Sequence, residues 1–423
     1  MGETLSGATR RDFLKTSAAA GAALTFARTA RAQKVKPIRV GLIGCGRRGT
    51  GAAHDCISSS PGVQIVAMGD VFDDKVKSAR EKLKQDGDAF KVTDETCFTG
   101  FDAYKNVIAA DVDMVILATP PNFRPDHLQA AVDAGKHVFM EKPGAVDPVG
   151  VRKLLKAGED AGKKKLSVVA GTQRRHQDYY LEIVKRIHDG AIGELVGAQC
   201  YWIGNYDYYA PVQQDNLSDM EWQLRNWNYF AWLSGDHIVE QHVHNIDVIN
   251  WAFQAHPLKA MGIGGRQQRT DPVFGHIYDH FAVEFEYPNG VRVTSMCRQM
   301  ADSNFSKVEE NIVGTKGYAN PKQRGIFGEN PYKYENQEPP NPYVQEHADL
   351  IASIREGKPI NEAKGLAEST LTAIMGRLAC YTAEEITWDW AMNESKLDLQ
   401  PENLALGPLP VPPVAVPGQY KLT

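Results

Sequence analysis

The sequence is poor in several features that would each define a class of protein. Its six cysteines (Cys45, Cys56, Cys97, Cys200, Cys297 and Cys380) stand singly along 423 residues. That spacing excludes a zinc ribbon or a disulfide scaffold, which need clustered thiols. There is little excess of charge: 47 Lys and Arg stand against 52 Asp and Glu, a formal −5. A nucleic-acid binder dominated by basic patches is excluded. Once the N-terminus is set aside, no apolar run is long enough to cross a bilayer. No internal repeat is apparent. What remains is ordinary globular composition, 43% hydrophobic and 23% charged, enough for the cores of two or three domains.

The first 32 residues differ from the rest. Arg10-Arg11 followed by Phe13-Leu14-Lys15 leads into an Ala-rich apolar run, and Ala30-Arg31-Ala32 has the small-residue pattern of a cleavage site. This order of charged, apolar and small regions marks a secretory signal, and the arginine pair resembles the twin-arginine export signal. The expected partner is the twin-arginine export machinery, and the expected destination is the periplasm or the medium. Residues 1–32 hold five basic and two acidic side chains, so their removal takes the formal charge from −5 to −8.

Residues 33–173 read as a dinucleotide-binding domain. The apolar run Ile38–Ile43 is a buried strand leading into Gly44-Cys45-Gly46-Arg47-Arg48-Gly49, a G-x-G-x-x-G turn that opens a helix. The first glycine permits the tight turn, the second lets backbone approach a pyrophosphate, and the third lets helix and strand pack closely. A second strand ends at Asp70, spaced to accept hydrogen bonds from the adenosine ribose. Its charge repels a 2′-phosphate, so NAD is favoured over NADP. Arg47 and Arg48 oppose that choice, since either could reach a 2′-phosphate or only the pyrophosphate. Further strands end at Thr119-Pro120, before Asn122, and at Glu141-Lys142. Strands alternating with helices predict a doubly wound parallel sheet, whose ligands lie beyond the carboxyl ends of the strands.

The glycine turn, Ala118-Thr-Pro-Pro-Asn122 with His127 following, and Ala134-Gly-Lys-His-Val-Phe-Met-Glu-Lys-Pro143 together resemble the Gfo/Idh/MocA oxidoreductases, over about residues 37–390. The resemblance implies a Rossmann domain joined to an α/β domain with a large, mostly antiparallel sheet. It also implies NAD(P)-linked chemistry on sugars, polyols or their derivatives. Gly44, Gly46, Arg47, Arg48, Gly49, Asp70, Thr119, Pro120, Asn122, His127 and Glu141 are the expected cofactor residues. A homo-oligomer formed through the second sheet is the expected assembly.

Residues 174–395 form the substrate half, and 396–423 a proline-rich tail expected to be extended, either wrapping a neighbouring subunit or lying on the surface. Strands are predicted over 194–203, 258–262, 280–287 and 291–298, the last two joined by a Pro288-Asn289-Gly290 turn. Residues 201–232 hold ten of the 38 aromatics, including Tyr206, Tyr208 and Trp227. They suit either sugar faces or a packed interface. Helical spacing over 237–251 puts His237, Glu240, His244 and Asp247 on one face. In the family pattern the catalytic histidine falls on His244 and its acidic partner on Glu240, where Glu replaces the usual Asp. Lys142 is the expected hydrogen-bond donor to the reacting oxygen. Arg174, Arg175, His176, Trp227 and His237 are substrate candidates, with surface charge an equal account of the two arginines and His176. The histidines at 237, 242, 244, 276 and 280 have no recognised metal spacing, and no metal is expected.

Three functions follow from these residues. The first is a dehydrogenase of a small carbohydrate. The second is a glycoside hydrolase or lyase that oxidises its substrate transiently on tightly held, recycled NAD. The third is a non-catalytic nucleotide or sugar sensor. The third has no need of Lys142 with His244, and is the weakest.

Overall fold

The computed structural model describes residues 36–204 and 209–422. The export signal at 1–32, and Tyr206 and Tyr208 of the aromatic stretch, lie outside the described residues.

The first half is a six-stranded parallel sheet. Its strands are β1 (Ile38–Ile43), β2 (Val63–Asp70), β3 (Cys97–Thr99), β4 (Met114–Leu117), β5 (His137–Met140) and β6 (Val168–Ala170), in the order β3-β2-β1-β4-β5-β6. The helices between them are α1 (Arg47–Ser59), α2 (Asp73–Leu83), α3 (Ala103–Ala109), α4 (Arg124–Asp133) and α5 (Pro148–Lys163). β4 is buried on both faces, which is why it reads as an unbroken apolar run rather than an alternating one. The order reverses between β1 and β4, and that switch point opens a crevice at the carboxyl ends.

β6 ends at Ala170, and the chain later returns to complete this half. Val168 donates to the Ile360 carbonyl at 2.7 Å, and Glu362 donates back to Val168 at 2.9 Å. Leu350 and Ile351 share a core with Ile38, Val40 and Val169.

The second half is a nine-stranded sheet. After α6 (Asp178–His188) come β7 (Leu195–Gly204), α7 (Asp219–Arg225), α8 (Ala231–Ser234), α9 (His237–Glu240) and α10 (Val243–Phe253). Then follow β8 (Lys259–Gly265), β9 (His280–Glu286), β10 (Arg292–Gln299), β11 (Lys307–Gly314), β12 (Gly317–Asn320), β13 (Gly325–Gly328), β14 (Tyr332–Lys333), α11 (Pro342–Glu356), α12 (Ala363–Thr382) and β15 (Ile386–Thr387). The sheet order is β14-β13-β12-β11-β7-β10-β9-β8-β15, antiparallel except for the β7–β10 pair. The Pro288–Gly290 turn joins β9 to β10, with Asn289 and Gly290 both at positive φ. The fold is thus the α/β architecture expected from sequence, a doubly wound parallel sheet followed by a large, mostly antiparallel one.

One expectation needs correction. The helix predicted from 237 to 251 is broken into α9 and α10 at Gln241–His242. There the buried His242 ring turns to Ser295 Oγ on β10, 2.8 Å away. The tail is extended, as expected, and it lies along its own chain. Leu409 donates to Asp219 at 3.0 Å and accepts from Gln223 at 2.6 Å, while Gly418 donates to Thr382 at 2.9 Å.

Much of the aromatic stretch is core. Trp222, Tyr229, Phe230 and Trp232 are buried with Met220, Leu233 and Ile277, and Phe123 of the first half packs edge-on against Trp232. The six cysteines are free thiols, five of them buried. No helix among the described residues is long and apolar enough to cross a membrane.

Candidate active site

The glycine turn separates into two kinds of position. Gly44 has φ +95°, and a Cβ there would sit 2.6 Å from the Ala118–Thr119 backbone. A Cβ at Gly49 would fall 1.9 Å from the Gly44 carbonyl oxygen. Both positions are therefore closed by the protein itself. At Gly46 a Cβ would meet nothing within 4 Å. Gly46 is also the N-cap of α1, and no side chain caps that helix. The first-turn amides and the open approach over Gly46 fit a pyrophosphate, so the chain's own residues suit a dinucleotide. Asp70, at the end of β2, accepts from Cys45 N at 2.7 Å and Phe72 N at 3.0 Å. These bonds hold the carboxylate beside the turn with acceptor capacity left for a ribose. Burial raises its pKa.

Arg48 is held by carboxylates. Its guanidinium bonds Glu141 at 2.5 Å, Asp55 at 3.1 Å and Glu346 at 3.3 Å, and lies over the Tyr343 ring. These contacts make a brace joining α1, the end of β5 and α11. Glu141, expected at the cofactor, is the other side of that brace. Arg47 is exposed at the start of α1.

After β4, Thr119 offers its carbonyl to Arg124 Nε at 2.8 Å. Pro120 and the buried Asn122 follow, and Asn122 Oδ1 has no partner. His127 is buried against the Tyr104 ring at 4.0 Å, and burial brings its pKa down to about 3, so it is a neutral packing group. Arg124, which the sequence reading missed, is buried and also donates to the carbonyls of Glu141 (3.1 Å) and Pro143 (2.6 Å). It ties the turn after β4 to the turn after β5. Nothing in its sequence neighbourhood distinguishes it from a surface arginine at a helix start.

Glu240, expected as the partner of His244, pairs with Lys142. Lys142 Nζ donates to Glu240 Oε1 at 2.9 Å and to the Glu240 carbonyl oxygen. Glu240 Oε2 is buried without a partner, as is Thr172 Oγ1. Burial lowers the His237 pKa to about 4. His244, in the first turn of α10, stacks against Trp202. Burial, with the charges of Lys142, Arg174 and Arg48, holds its pKa well below the usual range. His244 is therefore a neutral imidazole at neutral pH, able to accept a proton. The predicted face persists through the break only in part. Glu240 contacts Lys142, whose charge also bears on His237 and His244, whereas Asp247 turns to Arg175.

The other substrate candidates are engaged by carboxylates. Arg174 pairs with the fully buried Glu310. Arg175 bonds both oxygens of Asp247 at 2.8 and 2.9 Å. His176 lies 2.6 Å from Asp349 and 3.3 Å from Glu362, and the flanking carboxylates raise its pKa to about 10 against the cost of burial. Trp227 is half-buried, edge-on to Tyr209. The histidines weighed as metal ligands diverge, His280 to Asp279, His242 to Ser295 and His276 to Phe230. Among the described residues no group of three or more His, Cys, Asp or Glu side chains is arranged to hold a metal ion.

Comparison with known families decides the assignment. Residues 38–170 match the oxidoreductase family with an NAD-binding Rossmann fold, and residues 180–320 match the GFO/IDH/MocA C-terminal domain. The chain belongs to the Gfo/Idh/MocA oxidoreductase family. Residues 7–27 match a twin-arginine translocation signal sequence.

Among curated relatives of this family, the chain is 27% identical over 260 residues to inositol 2-dehydrogenase 3 of Saccharopolyspora erythraea, covering 60% of this chain and 65% of that protein. It is 29% identical over 186 residues to a glycosyl hydrolase family 109 protein of Porphyromonas gingivalis, covering 43% and 38%. It thus spans less than two thirds of either relative's length. Scyllo-inositol dehydrogenase of Lactobacillus casei, solved with NAD(H) and scyllo-inositol, superposes with a TM-score of 0.63 at 20% identity, over 83% of this chain and 99% of that one. This last likeness is one of Gfo/Idh/MocA fold.

Proposed function

We propose that this chain is an exported, NAD-dependent oxidoreductase that acts on a neutral sugar or cyclic polyol. The observation that carries the reading is the Lys142–Glu240 contact at the carboxyl end of the parallel sheet, with a buried, neutral His244 that feels the Lys142 charge. NAD, which the Gly44–Gly49 turn and Asp70 would hold, would supply the hydride acceptor for the carbinol carbon. Lys142 donates a hydrogen bond to the reacting oxygen and stabilises the negative charge that develops there. His244 takes the hydroxyl proton as general base. Glu240 holds the Lys142 ammonium in place and balances its charge.

Two further features narrow the reading. Asp70 beside the glycine turn favours NAD by repelling a 2′-phosphate. Arg174, Arg175 and His176 are each matched by carboxylates, so none of the three is left for a substrate carboxylate or phosphate. That favours a neutral, polyhydroxylated substrate. The twin-arginine match supports export to the periplasm or medium. The outer face of the second sheet carries an apolar row, Ile263, Ala282, Met296 and Tyr201, at neighbouring register positions on β8, β9, β10 and β7. Ile263 is 77% exposed. This row supports a homo-oligomer formed through the sheet.

The likeness to a family 109 glycosyl hydrolase supports a second reading, redox-neutral glycoside cleavage on retained NAD. One set of measurements separates the two. Mass spectrometry of the denatured mature protein identifies any retained nucleotide. A steady rise in NADH absorbance with myo-inositol or D-glucose and added NAD supports the dehydrogenase. Release of nitrophenol from nitrophenyl glycosides without NADH accumulation supports the hydrolase. If neither reaction occurs, the catalytic reading fails.

A further inference from the structure

The residue before α9 stands out by its backbone. Asp236 has φ +75° and ψ 167°, a region that residues bearing a side chain rarely adopt. A glycine would take this conformation freely, yet an aspartate occupies it and is fully buried. Its carboxylate accounts for the choice. Oδ1 accepts from His237 N at 2.5 Å. Oδ2 accepts from Tyr278 N at 2.8 Å and from Tyr381 Oη at 2.5 Å. The preceding Gly235 carbonyl accepts from Arg377 Nη1 at 3.0 Å. The turn that launches His237 and Glu240 is therefore fastened to the loop before β9 and to α12.

The C-terminal tail lies behind the same two tyrosines. Tyr278 Oη donates to the Ala415 carbonyl at 2.9 Å, and Tyr420 packs edge-on against Tyr381 at 5.3 Å. Contacts thus run without a gap from the tail through Tyr278 and Tyr381 to Asp236. From there α9 carries them to Glu240 and so to Lys142.

We propose that Asp236 is a positioning residue for the reaction, holding α9 so that Glu240 and His237 face Lys142, with tail residues 415–420 bracing it from behind. The proposal rests on the oxidoreductase reading above. Backbone strain kept at a site is held by surrounding contacts and is commonly tied to positioning. Here those contacts are three hydrogen bonds to one buried carboxylate.

Kinetics and amide exchange together form the test. Asp236→Gly keeps a backbone that can adopt the turn but removes the carboxylate. With myo-inositol or D-glucose as probe, kcat should fall about tenfold or more, because small misplacements of reacting groups are costly, while NAD affinity stays within about twofold. In a Glu240→Gln background Asp236→Gly should add little, since the two act as a unit. Tyr381→Phe keeps the ring and removes one bond, and should lower kcat in the same direction by less; it covers the case that Asp236→Gly does not fold. Truncation after residue 414 should act like Tyr381→Phe.

Amide exchange at His237 and Tyr278 should quicken in Asp236→Gly whether or not a probe sugar turns over. If wild type is inactive on every probe, the oxidoreductase reading falls while exchange still tests the turn. If wild type is active, and Asp236→Gly leaves kcat within twofold or combines independently with Glu240→Gln, Asp236 is not a positioning residue. Unchanged exchange overturns the proposal in either case.

Discussion

Lys142 Nζ lies 2.9 Å from Glu240 Oε1 although 98 residues separate them in the chain. Their side chains are only 10% and 5% exposed. One comes from the turn after β5 of the parallel sheet, the other from the short helix before α10, so the pair joins the two halves at the proposed site. A buried ion pair is a poor source of net stability, but removing one partner strands the other. Lys142→Met should therefore cost about 3–5 kcal/mol in urea unfolding. It should also lower kcat by about 10²-fold or more in steady-state assays. Glu240→Gln keeps a hydrogen bond without the charge and should lose less, about tenfold in kcat.

The acid limb of kcat/KM should lie well below pH 6.5. The base must be neutral to accept a proton, and burial with the neighbouring cations keeps the His244 pKa well under its ordinary value. Lys142→Met removes one of those cations, which eases protonation, so any residual activity should show the limb shifted towards higher pH. A limb near pH 7 in wild type would remove His244 as the base.

Acid stability depends on other histidines. Burial depresses the pKa of His127 and His242 to about 3, and of His237 and His276 to about 4. Each contributes stability that is fully present above the unfolded value near 6.5 and is lost as pH falls through the folded value. Thermal midpoints should drop between pH 6.5 and pH 4. His127→Phe, which keeps the packing against Tyr104 and cannot charge, should flatten part of that slope.

The nucleotide half was largely legible because its signals are local. A strand, a glycine turn and a helix follow one another in sequence, and Gly44, Gly49 and Asp70 have the positions that their spacing implies. Lys142 meeting Glu240 was not legible: the family pattern pairs Glu240 with His244, and the contact joins residues 98 positions apart. What escaped was held by distant partners. Arg174 and Arg175 look like open cations in sequence because Glu310 and Asp247 lie 136 and 72 residues away. At the break His242 bonds Ser295 on another strand, a partner that helical periodicity does not report. The return of 342–362 to the first half depends on β6 pairing with residues near Ile360, again a contact without a local signature.

The outer row on the second sheet gives a prediction about assembly. Ile263 is the most exposed of the large apolar side chains there, and Met261 on the same strand is 51% exposed. If the sheet joins copies of the chain, Ile263→Glu should shift the mature protein to a smaller species in sedimentation or light scattering, because a charge cannot be buried there unpaired. Its nucleotide content and melting midpoint should change little. A single unaltered species in both proteins would place the interface elsewhere.

The glycine turn offers a contrast between two equally small substitutions. At Gly49 an added methyl would meet the Gly44 carbonyl at 1.9 Å, so α1 cannot seat against β1 without moving. Gly49→Ala should lower stability by about 1–3 kcal/mol through overpacking, and nucleotide affinity should fall with it. At Gly46 the methyl would meet no protein atom within 4 Å, and φ is −70°, which alanine accepts. Gly46→Ala should therefore leave the melting midpoint within about a degree of wild type, as neutral surface changes do. Yet the methyl stands where backbone must approach a pyrophosphate, so NAD binding by calorimetry should weaken about tenfold or more. A Gly46→Ala protein that binds NAD as wild type does would place the dinucleotide elsewhere than on this turn.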